Sequence, residues 1–333
     1  MCLVTETRSS TSFPNTSVEQ TGPDTNLDPY IRWLQREKVP IFWRAGIGWR
    51  LYQRVLIPAS LKPVSIDLEL STARNLLRES GASLIRWHTR TFDEPTSYWC
   101  ILCERYDFEG LARKARNQIR KANRECEVRR VETEWAAANT YDCYAAAFGR
   151  YKHGRPISRM QFESFQRSCA GGPFNFWGAF VDGRLAGFAK CVVSDDYVAL
   201  VSFRLDPAYS KSLPSYALLD ALLQTYVLQD RKTLGNGFLS LHHDTNMQDF
   251  LLKFGFQRVY CNLQLAYRPA LGLAVNICFP FRALIDRLPS HYPVTPVKSL
   301  LRQEEVRRSC LLEGRRPPPV ARGDHAALLA RRG

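Results

Sequence analysis

Apolar positions along residues 108–128 recur with the period of an α-helix that leads into a strand. At about 100° per residue, one narrow stripe holds the apolar side chains Leu111, Ala112, Ala115, Ile119, Ala122 and Cys126. The opposite side of the helix holds the arginines Arg113, Arg116, Arg120 and Arg124. One face is therefore predicted to pack on a core and the other to bind an anionic partner, the alternative being a basic face that is only solvated.

The chain before this helix has the pattern of a smaller α/β unit over residues 30–107. Trp43, Ile47, Leu51 and Val55 have helical spacing and favour a pair of helices over residues 30–61. Arginines interleave with these aromatic residues, and that pattern can also stack nucleic-acid bases. Further elements are predicted, namely strands at 64–68, 82–88 and 98–106 and a helix at 71–80 that ends at Gly81.

The chain after the basic helix alternates strands with helices. Strands are predicted at 128–131, 175–181, 185–193, 197–203, 237–242 and 257–267, and helices at 132–148, 214–227 and 247–254. Asp182-Gly183 predicts a tight hairpin turn. The order indicates a mixed, mostly antiparallel sheet flanked by helices, with a packed extension at 271–312. Residues 1–29 and 313–333 read as a disordered leader and a disordered basic tail.

Charge narrows the classes of partner. The 333 residues carry a formal net charge of +14, which favours RNA, anionic lipid or a phosphorylated cofactor over a small uncharged ligand.

Ten cysteines are scattered, and no second pair completes a zinc site with Cys100 and Cys103, so no metal is predicted. The sequence has no secretory signal and no run of about 20 apolar residues, so a cytoplasmic protein is expected. A weak alternative is membrane-surface contact through Phe279, Phe281, Leu284 and Leu288.

Two stretches resemble the FemAB-like and related acyltransferase domains of the GNAT superfamily. Arg116 to Ala122, followed by Cys126-Glu127-Val128, resembles the helix that leads into the first strand of those domains. Phe250 to Phe256 lies where the superfamily has its terminal helix and Gly-Phe turn. The resemblance implies a GNAT-like acyltransferase domain at 108–270, preceded by a partial GNAT-like unit.

The resemblance also implies a cofactor site after the fourth strand of that domain, where backbone N–H groups and a helix N-terminus would hold a pyrophosphate. The corresponding loop, residues 206–216, contains no glycine, and Pro214 has no N–H to donate. An acyl-CoA such as acetyl-CoA is therefore only one of two candidate donors. The residues predicted to bind the donor are Phe203, Arg204, Ser210, Lys211, Ser212 and Ser215. The alternative for this loop is a capped helix start with a solvated lysine.

The catalytic groups are predicted at the ends of two strands. Many acetyltransferases have a tyrosine where this chain has Leu251. The polar groups nearest the expected cleft are His242 and Asp244, with Ser202 on the neighbouring strand, and a His-Asp pair can deprotonate an attacking amine. Adjacent strand residues point to opposite faces, so at most one of His242 and His243 faces the cleft, and His242 is preferred.

The sequence therefore predicts an N-acyltransferase that moves an acyl or aminoacyl group to an amine-bearing acceptor. The donor is an acyl-CoA or an aminoacyl-tRNA, whose phosphates would contact the four arginines of the basic helix. The alternative is a catalytically inactive GNAT-shaped scaffold that binds RNA or an anionic surface through residues 111–125.

Overall fold

One large sheet organises the molecule. The computed structural model describes residues 27–92, 95–149, 155–241, 246–289 and 294–313. Within these residues eleven strands form a single sheet. The strands are β1 (Ile41–Arg44), β2 (Ile47–Tyr52), β3 (Val55–Pro58), β4 (Leu84–Phe92), β5 (Trp99–Cys103), β6 (Glu127–Val131), β7 (Phe174–Val181), β8 (Arg184–Val193), β9 (Tyr197–Leu205), β10 (Thr233–Phe238) and β11 (Gln257–Tyr267).

Helices cover both faces of this sheet. They are α1 (Pro29–Arg36), α2 (Leu70–Ser80), α3 (Arg113–Glu125), α4 (Thr133–Asn139), α5 (Tyr141–Phe148), α6 (Arg159–Arg167), α7 (Pro214–Leu222), α8 (Met247–Leu252), α9 (Pro269–Cys278), α10 (Arg282–Asp286) and α11 (Val294–Glu313). A wider helical turn, Leu223–Gln229, continues α7, and a short 3-10 turn, Phe279–Phe281, joins α9 to α10.

The strand order along the sheet is β1-β2-β3-β4-β11-β5-β10-β9-β8-β7-β6. Neighbouring strands are antiparallel except for two parallel pairs, β3 with β4 and β9 with β10. The last strand of the chain, β11, is therefore inserted between β4 and β5, which precede it by more than 150 residues. The predicted fold class, a mixed and mostly antiparallel sheet flanked by helices, is confirmed.

The helices divide the apolar core between the two faces of the sheet. On one face, α3 and α7 pack on the strands through Ile119, Leu218 and Leu222. On the other, α1 and α4 pack through Tyr30 and Ala136. Helix α2 covers the N-terminal strands, and α11 covers β11. These helices thus bury apolar side chains against the sheet.

The basic helix forms as predicted. Ala115, Ile119 and Ala122 are its buried residues, whereas Leu111 and Ala112 precede its first turn. Its N-cap residue, Ala112, provides no side-chain cap, so packing of this stripe contributes most of its stability.

The predicted pair of helices over residues 30–61 is wrong, because only α1 is helical there. The rest forms the hairpins β1–β2 and β2–β3. Ala45 and Gly46 form the first turn and Gln53 and Arg54 the second, all with positive φ, which matches the twist of two-residue hairpins. A spacing of four residues fits one face of a strand as well as one face of a helix, and this ambiguity misled the prediction.

Three other elements differ from the sequence expectation. Residues 64–68 are extended but join no ladder. The helix predicted over 132–148 is divided into α4 and α5 at Thr140, whose buried hydroxyl donates to the Ala136 carbonyl at 2.7 Å and so competes with the helical backbone bonds. The strand predicted at 237–242 lies earlier, as β10, which ends at Phe238 after a register shift against β5 in which Gly237 adopts a φ of 79°.

The C-terminal extension contains an exposed apolar segment. Pro269–Asp286 is long enough and apolar enough to cross a membrane by length and composition, and only 6% of this window is buried. No spanning run was predicted from the sequence, in which Arg282 and Asp286 interrupt the apolar pattern.

Candidate active site

The parallel pair of β9 and β10 separates part of the way along its length. The two strands pair only where Thr233–Gly235 lies beside Tyr197–Ala199. The side-chain amide of Asn236 donates to the Leu200 carbonyl at 3.0 Å and closes this paired part. Beyond it, β10 turns at Gly237 while β9 continues for five more residues. A gap therefore opens at one edge of the second half of β9.

A β-bulge marks the start of this gap. Leu200 lies opposite Cys191, and Ser202 lies opposite Lys190, so Val201 is an extra residue in β9. A bulge bends its strand and increases the local twist. From the bulge to the end of β9, the edge that faces β10 has no strand partner among the described residues. Its backbone N–H and C=O groups can therefore bind an extended ligand, as an added strand would.

The side chains near the end of β9 point to different faces of the sheet. Phe203 packs on the α7 and α8 side, with its ring centroid 6.4 Å from that of Phe250. Arg204 lies on the other side, with its guanidinium carbon 5.9 Å from the centre of the Phe148 ring. Ser202 pairs with Lys190, which is buried on that same second side. Beside the gap, Phe203 therefore faces one side of the sheet, and Ser202 and Arg204 face the other.

The predicted phosphate loop forms a tight turn at the N-terminus of α7. Asp206 caps the 3-10 turn Pro207–Ser212 by accepting from the Ala208 N–H at 2.9 Å. Leu213 follows with a φ of 58°, a left-handed conformation that a branched side chain rarely adopts, and Pro214 begins the helix. Such strain commonly accompanies a functional turn. Leu213 thus provides the backbone conformation without a glycine.

Helix α3 contacts this loop directly. The Lys121 ammonium donates to the Lys211 carbonyl at 3.0 Å, and the Cys126 thiol donates to the Ser212 carbonyl at 3.3 Å. The basic helix and the loop that carries Ser210 to Ser215 are therefore one continuous surface. The sequence predicted two anion sites separately, and nothing in the spacing of residues 121 and 211 indicated that they meet.

A buried carboxylate fixes α7 against α3. Asp220 accepts from the Tyr106 hydroxyl at 2.5 Å and from the Asn123 amide at 2.9 Å. Burial and then the hydrogen bond to Asp220 raise the pKa of Tyr106 well above its usual range, so its hydroxyl remains a donor. This network positions α7 against α3, and sequence reasoning missed it because its three residues come from distant segments.

The four arginines predicted to bind anions are not equivalent. Arg116 donates to the Glu109 carbonyl at 2.7 Å and to its carboxylate at 2.8 Å. Arg120 lies 3.8 Å from the same carboxylate and over the ring of Phe108. Arg124 is exposed in the last turn of α3. An open depression along the helix has a different lining, Arg113, Lys114, Asn117, Gln118 and Lys121. Among the predicted arginines, only Arg113 lines it.

The remaining predicted site residues differ in their exposure and in whether they lie in the described part of the chain. Ser210 and Lys211 are exposed, and Ser212 and Ser215 are half-buried at the start of α7. His242 and Asp244 lie outside the described residues. Leu251, where many acetyltransferases have a tyrosine, is fully buried in the core. Within the described part of the chain, no group of three or more His, Cys, Asp or Glu residues could hold a metal ion.

The sequence matches one protein-family model, and the fold is similar to that of solved structures. Residues 112–237 match the family described as Acetyltransferase (GNAT) domain. A comparison with curated proteins gave no match. The structure of FemX has 9% identity, covers 74% of this chain and 92% of that chain, and has a TM-score of 0.50, so this likeness concerns the fold alone.

Two further solved structures have lower TM-scores. L-PGS from Bacillus licheniformis has 13% identity, with 85% of this chain and 99% of that chain covered and a TM-score of 0.47. The aminoglycoside acetyltransferase meta-AAC0020, from an uncultured soil metagenomic sample, has 13% identity and a TM-score of 0.30. The match covers 40% of this chain and 86% of that chain.

Proposed function

We propose that this chain transfers an acyl or aminoacyl group to the nitrogen of an amine-bearing acceptor, a proposal supported by the match of residues 112–237 to the Acetyltransferase (GNAT) domain family. The observation that carries the proposal is the gap between β9 and β10, next to the N-terminus of α7. The donor's extended arm lies along the unpaired edge of β9, and its phosphates lie at the start of α7.

The chemistry is a single acyl transfer. The amine lone pair attacks the acyl carbonyl carbon, the bond to the leaving thiolate or ribose oxygen breaks, and the proton of the amine passes to a base. His242 and Asp244 remain the predicted base and its partner, with Ser202 beside the gap. Leu251 offers no hydroxyl, so the leaving group takes its proton from another source.

Two donors fit the charged surface. The Leu213 conformation, Lys211 and the serines of the loop support a pyrophosphate such as that of acyl-CoA. The contact between Lys121 and the loop extends the same surface along α3, which suits the longer phosphate backbone of an aminoacyl-tRNA. Both donors place a phosphate near Lys121 and Lys211.

The first experiment reverses these two charges. We expect Lys121→Glu and Lys211→Glu to weaken stabilisation by acetyl-CoA in a thermal-shift assay, or binding of aminoacyl-tRNA in a titration repeated at two salt concentrations. If tRNA is the donor, each lost phosphate contact should also reduce the slope of log affinity against log salt by about 0.7–0.9. Arg74→Glu, on the exposed side of α2, is the matched control and should leave both unchanged.

Turnover separates an enzyme from a binding scaffold. We expect His242→Ala to keep donor binding and to lose amine acylation, measured with the donor that binds and a panel of small amines. Failure of both donors to bind, or equal binding by the Lys121, Lys211 and Arg74 variants, would count against the proposed site. Donor binding without acylation of any amine would favour the inactive scaffold.

A further inference from the structure

A stripe of large apolar side chains lies exposed along the segment 269–289. Its members are Leu273, Ile277, Phe281, Leu284 and Leu288, which we call the apolar stripe, and they are between 46% and 64% exposed. Their spacing of four, four, three and four residues is that of one helical face, and they lie on α9, on the 3-10 turn, on α10 and just after it. Single exposed apolar residues are ordinary, but a continuous row of them marks an interaction surface.

The rest of the molecule holds this face outward. On the inner side of the segment, Val275 is buried, and Arg282 pairs with Glu305 of α11 at 2.8 Å. Arg308 of α11 lies over the Phe279 ring at 3.9 Å and donates to Asn276 at 2.9 Å. The orientation of the apolar stripe is therefore fixed by contacts on the opposite side of the segment.

The end of the segment is fixed as well. The Lys298 ammonium donates to the backbone carbonyls of Asp286 and Leu288, at 2.9 and 2.6 Å. A segment attached along one side and at its end cannot leave the body to cross a bilayer without losing these contacts. Its geometry instead suits a helix that lies in the plane of a membrane surface.

The charge around the apolar stripe has the sign that an anionic membrane attracts. Residues 268–313 contain seven basic residues and four acidic ones. The basic residues are Arg268, Arg282, Arg287, Lys298, Arg302, Arg307 and Arg308. Two of the acidic residues are paired with three of these arginines, Glu304 with Arg307 and Arg308 and Glu305 with Arg282, and the net charge of the segment stays positive. An apolar face with a basic surround is the pattern of an interfacial helix on acidic lipid.

We propose that the apolar stripe docks this protein on the surface of an anionic phospholipid bilayer. The five side chains enter the region between headgroups and acyl chains, and the net positive charge of residues 268–313 attracts the acidic lipid. The proposal is independent of the acyl donor and of the predicted catalytic residues.

The test is co-sedimentation of the full chain with vesicles of phosphatidylcholine alone and of phosphatidylcholine mixed with phosphatidylglycerol. We expect binding to the mixed vesicles that weakens as salt increases. Ile277→Glu, Phe281→Glu and Leu284→Glu should each reduce the partition coefficient by about tenfold or more, because each removes one buried apolar side chain. Leu70→Glu is the matched control, since Leu70 is 59% exposed on α2, as Ile277 and Phe281 are in the apolar stripe.

The outcomes divide clearly. Loss of binding in the stripe variants, with unchanged thermal unfolding and with Leu70→Glu binding normally, supports the proposal. Equal binding by all variants overturns it. The proposal is also overturned if the protein does not bind vesicles but forms a concentration-dependent dimer that Ile277→Glu abolishes. The apolar stripe would then be the contact with a second copy of the chain. Resistance of the bound protein to alkaline carbonate would overturn the surface location in favour of a spanning segment.

Discussion

Gly235 is the most crowded glycine in the paired part of β9 and β10. A Cβ there would lie 2.2 Å from the Tyr197 hydroxyl oxygen and 2.9 Å from a methyl carbon of Leu102. We expect Gly235→Ala to lower the free energy of unfolding by about 1–3 kcal/mol, because β10 lies between two strands and cannot move aside. Urea unfolding followed by circular dichroism measures the change.

Two further variants test the cause of this loss. The Tyr197 hydroxyl is buried without a hydrogen-bond partner among the described residues, so Tyr197→Phe removes the clashing atom at little cost. The double variant Gly235→Ala with Tyr197→Phe should therefore recover part of the stability. Gly272→Ala is the control, since its Cβ would meet nothing closer than 3.5 Å and α9 should gain slightly. Equal losses at Gly235 and Gly272 would contradict the steric explanation.

Helix α11 is attached to β11 by a buried carboxylate. Glu304, with a side chain only 1% exposed, accepts from Arg307 at 2.6 Å, from Arg308 at 2.7 Å and from the Tyr267 hydroxyl at 2.9 Å. Burial alone would raise the pKa of Glu304, but these three hydrogen bonds outweigh it and lower the pKa below its usual value. The ionised form is therefore favoured in the folded state.

This attachment predicts a pH-dependent loss of stability in Glu304→Gln. A lowered folded-state pKa stabilises the protein above the unfolded pKa, and the contribution is lost as pH falls through the folded pKa. We expect the variant to be about 1.5–3 kcal/mol less stable at neutral pH and the difference to narrow in acid below about pH 4, measured by urea unfolding at each pH. Glu305→Gln, in an exposed pair with Arg282, should cost less than about 1 kcal/mol. A difference that stays constant with pH would contradict this account.

The sequence pattern predicted correctly those helices and hairpins for which the apolar period and the turn residues indicate the same element. Helix α3 has an unambiguous apolar stripe, and Asp182 and Gly183 form the predicted hairpin turn with φ values of 49° and 73°. The hairpins of β1 to β3 were missed because their spacing fits two periods and the turn at Gln53 and Arg54 lacks glycine. The loop before α7 was located from sequence, but its contact with α3 depends on the tertiary fold.

At the scale of the whole molecule, the sheet does not divide at residue 107. Strand β5 lies between β10 and β11, and β4 lies on the other side of β11. A fragment of residues 108–270 therefore leaves β10 without a neighbour on one side and β11 without a neighbour on either side. We expect this fragment to unfold without cooperativity in urea, because unpaired strand edges expose backbone groups and apolar surface. A fragment of residues 27–313 keeps the whole sheet and should unfold like the full chain. A cooperative transition in the shorter fragment would contradict this expectation.

The insertion of β11 between β4 and β5 also sets an order of events during synthesis. Cys103 ends β5 and Gln257 begins β11, so about 150 residues must be translated before the two strands can pair. At 5–20 residues per second this takes roughly 8–30 s. Throughout that interval the nascent chain presents β4 and β5 with their facing edges open on the ribosome. Chaperones that shield such edges would therefore be needed until β11 has been translated and can pair with β4 and β5.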